Sequence, residues 1–127
     1  MNNQSLARGK VLIADDDEDS RMMLSFVLQE EGWEVYEACN GKEALEKVIE
    51  EKPDLLILDN RMPELSGVEV YQYLQAEGIH IAVVLATAYG YLDELASSLG
   101  VEHFIHKPYE IPALLKMVES AYAHSRN

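Results

Sequence analysis

A single cysteine, Cys39, leaves no pair for an internal disulfide. Basic residues are scarce too: 10 Lys and Arg stand against 23 Asp and Glu, for a formal net charge of -13, and no basic stripe runs along the chain. Such a surface repels phosphate backbones and anionic lipid, which argues against direct binding of nucleic acid or membrane. The longest apolar runs are strand-sized, far short of the roughly 20 residues of a membrane-spanning helix. The opening residues MNNQSLARGK lack the apolar core of a signal peptide, so a cytoplasmic protein is expected. Internal repeats, low-complexity tracts and domain linkers are also missing. At 127 residues and 48% hydrophobic, the chain has the size of one ordinary domain with a real core.

What the chain does have is a regular alternation of strand-like and helix-like segments. Val11 to Ala14 is apolar and β-branched, and Asp19 is expected to cap a helix through Leu24, Val27 and Leu28 that stops at Gly32. Val35 to Ala38 is a weaker, half-exposed strand; Asn40 then caps a helix with Ala44, Leu45, Val48 and Ile49 at helical spacing and Pro53 beyond its end. Leu55 to Leu58 is continuously apolar, as a parallel strand covered on both faces requires. Ser66 and Glu69 form a capping box for a helix carrying Val70, Tyr71 and Leu74 up to Gly78. Ile81 to Ala86 is a fourth strand, Leu92, Leu95, Ala96 and Leu99 mark a helix ending at Gly100, and His103 to His106 contains a fifth strand. The last helix starts near Pro112, which a first turn accepts, and runs through Leu114, Leu115, Val118 and Tyr122. Five strand-helix units with short connections predict an α/β doubly wound parallel sheet with five helices.

Charge appears where those strands end. Asp15 and Asp16 follow VLIA, Asp59 follows LLIL, Thr87 follows the fourth strand and Lys107, before Pro108, follows the fifth. A core has no use for unpaired charge, and open parallel sheets bind ligands beyond the carboxyl ends of their strands. These distant residues are therefore expected to share one acidic, metal-dependent phosphoryl-transfer pocket. His80, His103, His106 and His124 lack a Cys or carboxylate partner at metal-ligand spacing and are expected on the surface or at strand ends.

The runs KVLIADDDED, PDLLILDNRMPELSG, VVLATAY and HFIHKPYE resemble, in order and spacing, the receiver domain of bacterial response regulators, from Lys10 to about Tyr122. The resemblance implies a flavodoxin-like receiver fold with strand order 2-1-3-4-5, a domain over residues 10–124, a flexible N-terminus over 1–9 and a tail over 125–127. It implies that Asp59 is the acceptor of a phosphoryl group from a phosphohistidine, and that Mg2+ or Mn2+ is held by Asp16, Asp59 and the backbone carbonyl of Arg61, with Asp15 acting largely through water. Thr87 and Lys107 would contact the phosphoryl oxygens, with a cis Lys107–Pro108 bond. Thr87 and Phe104 would form the switch that reads phosphorylation out, with Phe104 acting by packing alone. Arg61 and Tyr89 flank the pocket at positions that influence phosphoryl lifetime in such domains.

The implied partners are a sensor histidine kinase or histidine phosphotransfer protein and a downstream protein. Met22 and Phe26, four apart on the first helix and off its core face, are candidates for an exposed apolar strip that docks on such a partner. The chain is expected to be a signalling module that catalyses its own phosphorylation and dephosphorylation, and not an enzyme acting on a separate substrate. A stand-alone relay protein is favoured over a receiver cut from a longer transcriptional regulator or hybrid kinase. A phosphatase of the haloacid dehalogenase type also combines an Asp nucleophile with Mg2+, Thr and Lys, but needs a late acidic pair; here the acidic pair comes first.

Overall fold

Continuous apolar strands lie at the centre of the computed structural model, which describes residues 8–88, 97 and 99–125. β1 (Lys10–Ala14), β2 (Glu34–Ala38), β3 (Leu55–Asp59), β4 (Ala82–Ala88) and β5 (Phe104–Lys107) form one parallel sheet in the order β2-β1-β3-β4-β5. Alternate residues of each strand feed opposite faces, because successive strand side chains point to opposite sides. Leu12, Leu56, Leu58 and Leu85 join one buried layer with Ala44, Val48, Val70 and Leu74. Val11, Ile13, Leu55, Ile57 and Val84 join the other with Leu24, Leu28, Leu114 and Val118. Each large side chain so buried contributes about 1.5–3 kcal/mol.

The helices are α1 (Glu18–Glu30), α2 (Gly41–Glu51), α3 (Gly67–Ala76) and α4 (Ile111–Ser125). Among the described residues there are thus four helices where five were expected. The expected helix over Leu92, Leu95, Ala96 and Leu99 falls mostly outside those residues. Asn40 caps α2 by accepting from Glu43 N at 2.7 Å, and Ser66 with Glu69 forms the expected capping box on α3. α1, however, starts earlier than its sequence suggests. Asp17 is the cap, extended at φ −87° and ψ 113°, and its carboxylate accepts from Ser20 N at 3.2 Å and Ser20 Oγ at 2.7 Å. Asp19 lies inside the first turn, where an acidic side chain still favours the helix dipole.

Two further boundaries differ. β4 continues to Ala88 because Thr87 and Ala88 pair in register with His106 and Lys107, so both Thr87 and Lys107 are strand residues and not loop residues. Ile49 is 59% exposed: Ala44 and Val48 take the buried stripe of α2, and the next residue is rotated away from it. Arg8 and Gly9, expected in the flexible N-terminal segment, are tied to the fold. Arg8 N donates to Gly32 O and Glu34 N donates to Gly9 O, both at 2.9 Å.

Candidate functional site

The sheet order reverses between β1 and β3, and the carboxyl ends of these adjacent strands carry the acidic residues. Asp15 follows β1 directly and is 3% exposed. Its amide donates to Ala38 O at 3.1 Å, and its Oδ1 accepts from Asp17 N at 2.9 Å. Asp16, next in the chain, is exposed. Asp59 closes β3 and is 7% exposed. Ligand oxygens of Asp15, Asp16 and Asp59 all lie within 4.8 Å of one another.

Lys107, the last residue of β5, reaches across to this cluster. Its Nζ lies 2.9 Å from Asp59 Oδ1 and 3.4 Å from Asp15 Oδ2, and the Lys107–Pro108 peptide is cis. Thr87, near the end of β4, is buried at the same rim. The strand register that places Asp59 beside Ala86, and Thr87 beside His106, brings these side chains together from four strands.

The turn after Asp59 is held as firmly as the strand before it. Asn60, buried, donates its amide to Ala86 O at 3.0 Å and accepts from the start of α3 twice: its carbonyl from Gly67 N at 2.9 Å and its Oδ1 from Val68 N at 3.0 Å. Asn60 and Ser66 between them satisfy the first three amides of α3, which have no partner within the helix. Gly67 is needed for this close approach, since a Cβ there would meet the Asp59 carbonyl oxygen at 2.6 Å.

Burial raises the Asp59 pKa above the ordinary aspartate value; Lys107 opposes the shift, while Asp15 and Asp16 add to it. Burial alone would depress Lys107, but its hydrogen bond and charge interactions with Asp59, and the Asp15 charge, outweigh that and raise its pKa. Lys107 is therefore a fixed cation at neutral pH, whereas Asp59 is a carboxylate held at some cost. The donor set suits a hard divalent cation: three carboxylates cluster, and among the described residues the cleft lining contains no thiol or imidazole to favour a softer metal.

Asp15, Asp16, Asp59, Arg61, Thr87 and Lys107 all line one cleft. Phe104, Met22 and Phe26 do not. Phe104 is half-buried at the start of β5, edge-on to His106 at 5.7 Å between ring centroids. Met22 and Phe26 are 57% and 65% exposed on α1. Tyr89 lies outside the described residues. Sequence reasoning missed Met23, which is 47% exposed and lines the cleft, and Tyr109, which walls the cleft two residues after Lys107. The offset of Tyr109 from the Lys-Pro pair was a usable signal; Met23 had none, because three consecutive apolar positions of a helix cannot be divided between core and cleft by spacing alone.

A fold and site of this kind define a class, and the family match agrees. Residues 11–119 match the model of the response regulator receiver domain, and the chain belongs to that family. Receiver domains are signalling phosphoacceptors that bind Mg2+ at a cluster of Asp residues. Among individual proteins, the chain is 36% identical over 112 residues to sporulation initiation phosphotransferase F of Bacillus subtilis, with 87% of this chain and 90% of that protein covered. It is 32% identical over 114 residues to the polar-differentiation response regulator DivK of Brucella anthropi, covering 87% and 93%. It is also 34% identical to the transcriptional regulatory protein PhoP of Bacillus subtilis, where it spans only 48% of the relative's length. Of solved structures, a Francisella response regulator receiver domain superposes with a TM-score of 0.86 at 27% identity, covering 93% of this chain and 99% of that one. The response regulator TrrA of Thermotoga maritima, in complex with Mg2+ and BeF, gives 0.81 at 34% identity, covering 88% and 97%.

Proposed function

We propose that Asp59 accepts a phosphoryl group from a phosphohistidine and that the chain acts as a stand-alone relay or switch module. The observation that carries this is the pairing of a buried Asp59 with Lys107 at 2.9 Å inside a cluster of three carboxylates. A carboxylate oxygen of Asp59 attacks phosphorus as the bond from phosphorus to the imidazole nitrogen breaks. The freed imidazole keeps the electron pair and takes a proton from solvent, and a mixed anhydride remains on Asp59. Lys107 meets the phosphoryl oxygens with a compact charge and Thr87 with a hydroxyl donor; both act by position, the main device of phosphoryl transfer. Asp16, Asp59 and the Arg61 carbonyl would hold Mg2+ or Mn2+, with Asp15 acting through water, and the bound ion supplies positive charge to the transferring group.

Readout follows from the same site. Thr87 moves toward the phosphoryl group and Phe104 turns into the space released, a two-state element biased by new hydrogen bonds. Water reaching the anhydride by the same cleft returns the carboxylate, with Arg61 and Tyr89 tuning access. The face of α1 bearing Met22 and Phe26, now joined by Met23, docks on the helical bundle of the kinase or phosphotransfer protein. The 36% identity to phosphotransferase F over 112 residues supports a relay role. Incubation with Mg2+ and a small-molecule phosphodonor should label one residue per chain, and Asp59→Asn should abolish the label. Retained labelling in that variant would overturn the assignment. Transfer of the label from wild-type protein to a histidine phosphotransfer protein tests the relay role.

A further inference from the structure

The first turn of α1 carries a cation that phosphoryl acceptance leaves unused. Arg21 sits one turn into the helix, its amide donating to the Asp17 carbonyl at 3.0 Å. Helical side chains lean toward the N-terminus, so this guanidinium reaches back over the first turn. Its Nη1 donates to the Asp15 carbonyl oxygen at 2.7 Å and its Nε to Glu37 Oε1 at 2.9 Å, with the side chain only 16% exposed. The Asp15 carbonyl belongs to the peptide that joins Asp15 to Asp16. Arg21 therefore grips the backbone unit bearing two of the three clustered carboxylates, and Glu37 on β2 anchors it from the neighbouring strand. Asp15 N on Ala38 O and Asp17 N on Asp15 Oδ1 hold the flanking groups, which leaves the tilt of the peptide between them to Arg21.

We propose that Arg21 is a positioning residue for divalent-cation binding, holding the Asp15–Asp16 peptide so that both carboxylates face the cation; this rests on reading the three-carboxylate cluster as the metal site. Arg21 does not line the cleft; its Nη1 and Nε instead hold the Asp15 carbonyl and the Glu37 carboxylate. Position and charge then predict opposite signs. A guanidinium close to the site repels a cation, so on charge alone its removal tightens binding. A positioning role predicts weaker binding on removal. Lysine separates the two effects again, because it keeps the charge but lacks the planar fork that holds a carbonyl and a carboxylate at once.

The test titrates the full chain, as wild type, Arg21→Gln and Arg21→Lys, with MgCl2 while following the Asp16 and Asp59 amide signals by NMR. Both variants are expected to bind Mg2+ about ten-fold more weakly, the usual scale for losing a group that orients metal ligands. In the metal-free protein, the Asp17 amide is expected to exchange its hydrogen faster in both variants. Unchanged or tighter binding in Arg21→Gln, or wild-type affinity in Arg21→Lys, would overturn the proposal. Should the Gln variant fail to fold, the Lys variant decides by the same readings. Labelling of wild-type Asp59 by a small phosphodonor is measured in parallel. Weakened Mg2+ binding in the variants with an unlabelled wild type supports the Arg21 role and sinks the acceptor assignment; a labelled wild type with unchanged affinities does the reverse.

Discussion

The two ends of the sheet carry similar polar residues and use them differently. At the amino end, each charged group has a hydrogen-bond or ion-pair partner that holds the chain down. Lys10 N donates to Asp54 Oδ2 at 2.8 Å, Lys10 Nζ to Glu51 O at 3.1 Å, and Arg8 pairs with Glu119 while its guanidinium lies 5.6 Å from the Trp33 ring centre. Tyr122 and Trp33 pack in a T-shape with ring centroids 4.9 Å apart, and the Tyr122 hydroxyl donates to Arg8 O at 2.7 Å. At the carboxyl end, three carboxylates cluster, only two of them paired with Lys107, and burial pushes Asp59 upward. Paired charges at the amino end are structural staples; the three-carboxylate cluster carries a negative excess that suits a divalent cation.

The largest test of that contrast removes the ammonium. Lys107→Ala should slow labelling of Asp59 by about 100-fold, the scale on which one preorganised charge contributes to a transition state. The check is the labelling rate at saturating phosphodonor and Mg2+, and a loss below about three-fold would mean that the ammonium is structural.

Second in size, Asp59→Asn should raise the thermal midpoint of the metal-free protein. The folded pKa of Asp59 is raised, so ionised Asp59 destabilises the fold at neutral pH, and this penalty fades as pH falls through the folded value toward the ordinary aspartate pKa. The variant's advantage should therefore be present at neutral pH, disappear in acid, and reverse on adding Mg2+, which stabilises only a chain that binds it. Melts with and without Mg2+ across pH read all three.

A matched end should respond otherwise. Tyr122→Phe deletes the hydrogen bond to Arg8 O and should cost about 1 kcal/mol in a denaturant melt while leaving the labelling rate alone. The smallest effect concerns a carboxylate after β2 that is matched. Glu43 accepts from Cys39 N at 2.7 Å, and this bond holds its pKa below the ordinary glutamate value, the opposite of Asp59. Its contribution is present above the unfolded pKa and lost as pH falls through the folded one. Glu43→Ala should cost about 1 kcal/mol or less at neutral pH and nothing in acid, read as converging urea midpoints.

Much of this was legible in one dimension because the signals were local. Continuous runs such as LLIL announce a strand buried on both faces, and caps such as Asn40 and Ser66 act within three residues of themselves. The acidic run DDDED was harder: any of its carboxylates can cap a helix, and only the backbone path from β1 selects Asp17, leaving Asp19 in the first turn. Ile49 falls at helical spacing with Leu45 and Val48 yet is exposed, because the width of the buried stripe depends on how α2 lies on the sheet. Arg21 and Asn60 were passed over for a related reason. The bonds by which they hold the site go to backbone groups, the Asp15 carbonyl and the Val68 amide, which leave no trace in residue type.

The sequence by itself determined which groups end each strand: carboxylates after β1 and at the close of β3, a hydroxyl near the close of β4 and an ammonium at the close of β5. Strand ends are set by local apolar runs, and the chemistry of each side chain travels with it. Only the tertiary structure decided that Lys107 stands 2.9 Å from Asp59, that Arg21 turns inward to the Asp15 carbonyl while Met22 and Phe26 face outward, and that Asp59 is buried enough to resist ionisation. Those outcomes depend on sheet order and register, which bring together residues 92 positions apart, as Asp15 and Lys107 are, and on the solvent that packing excludes.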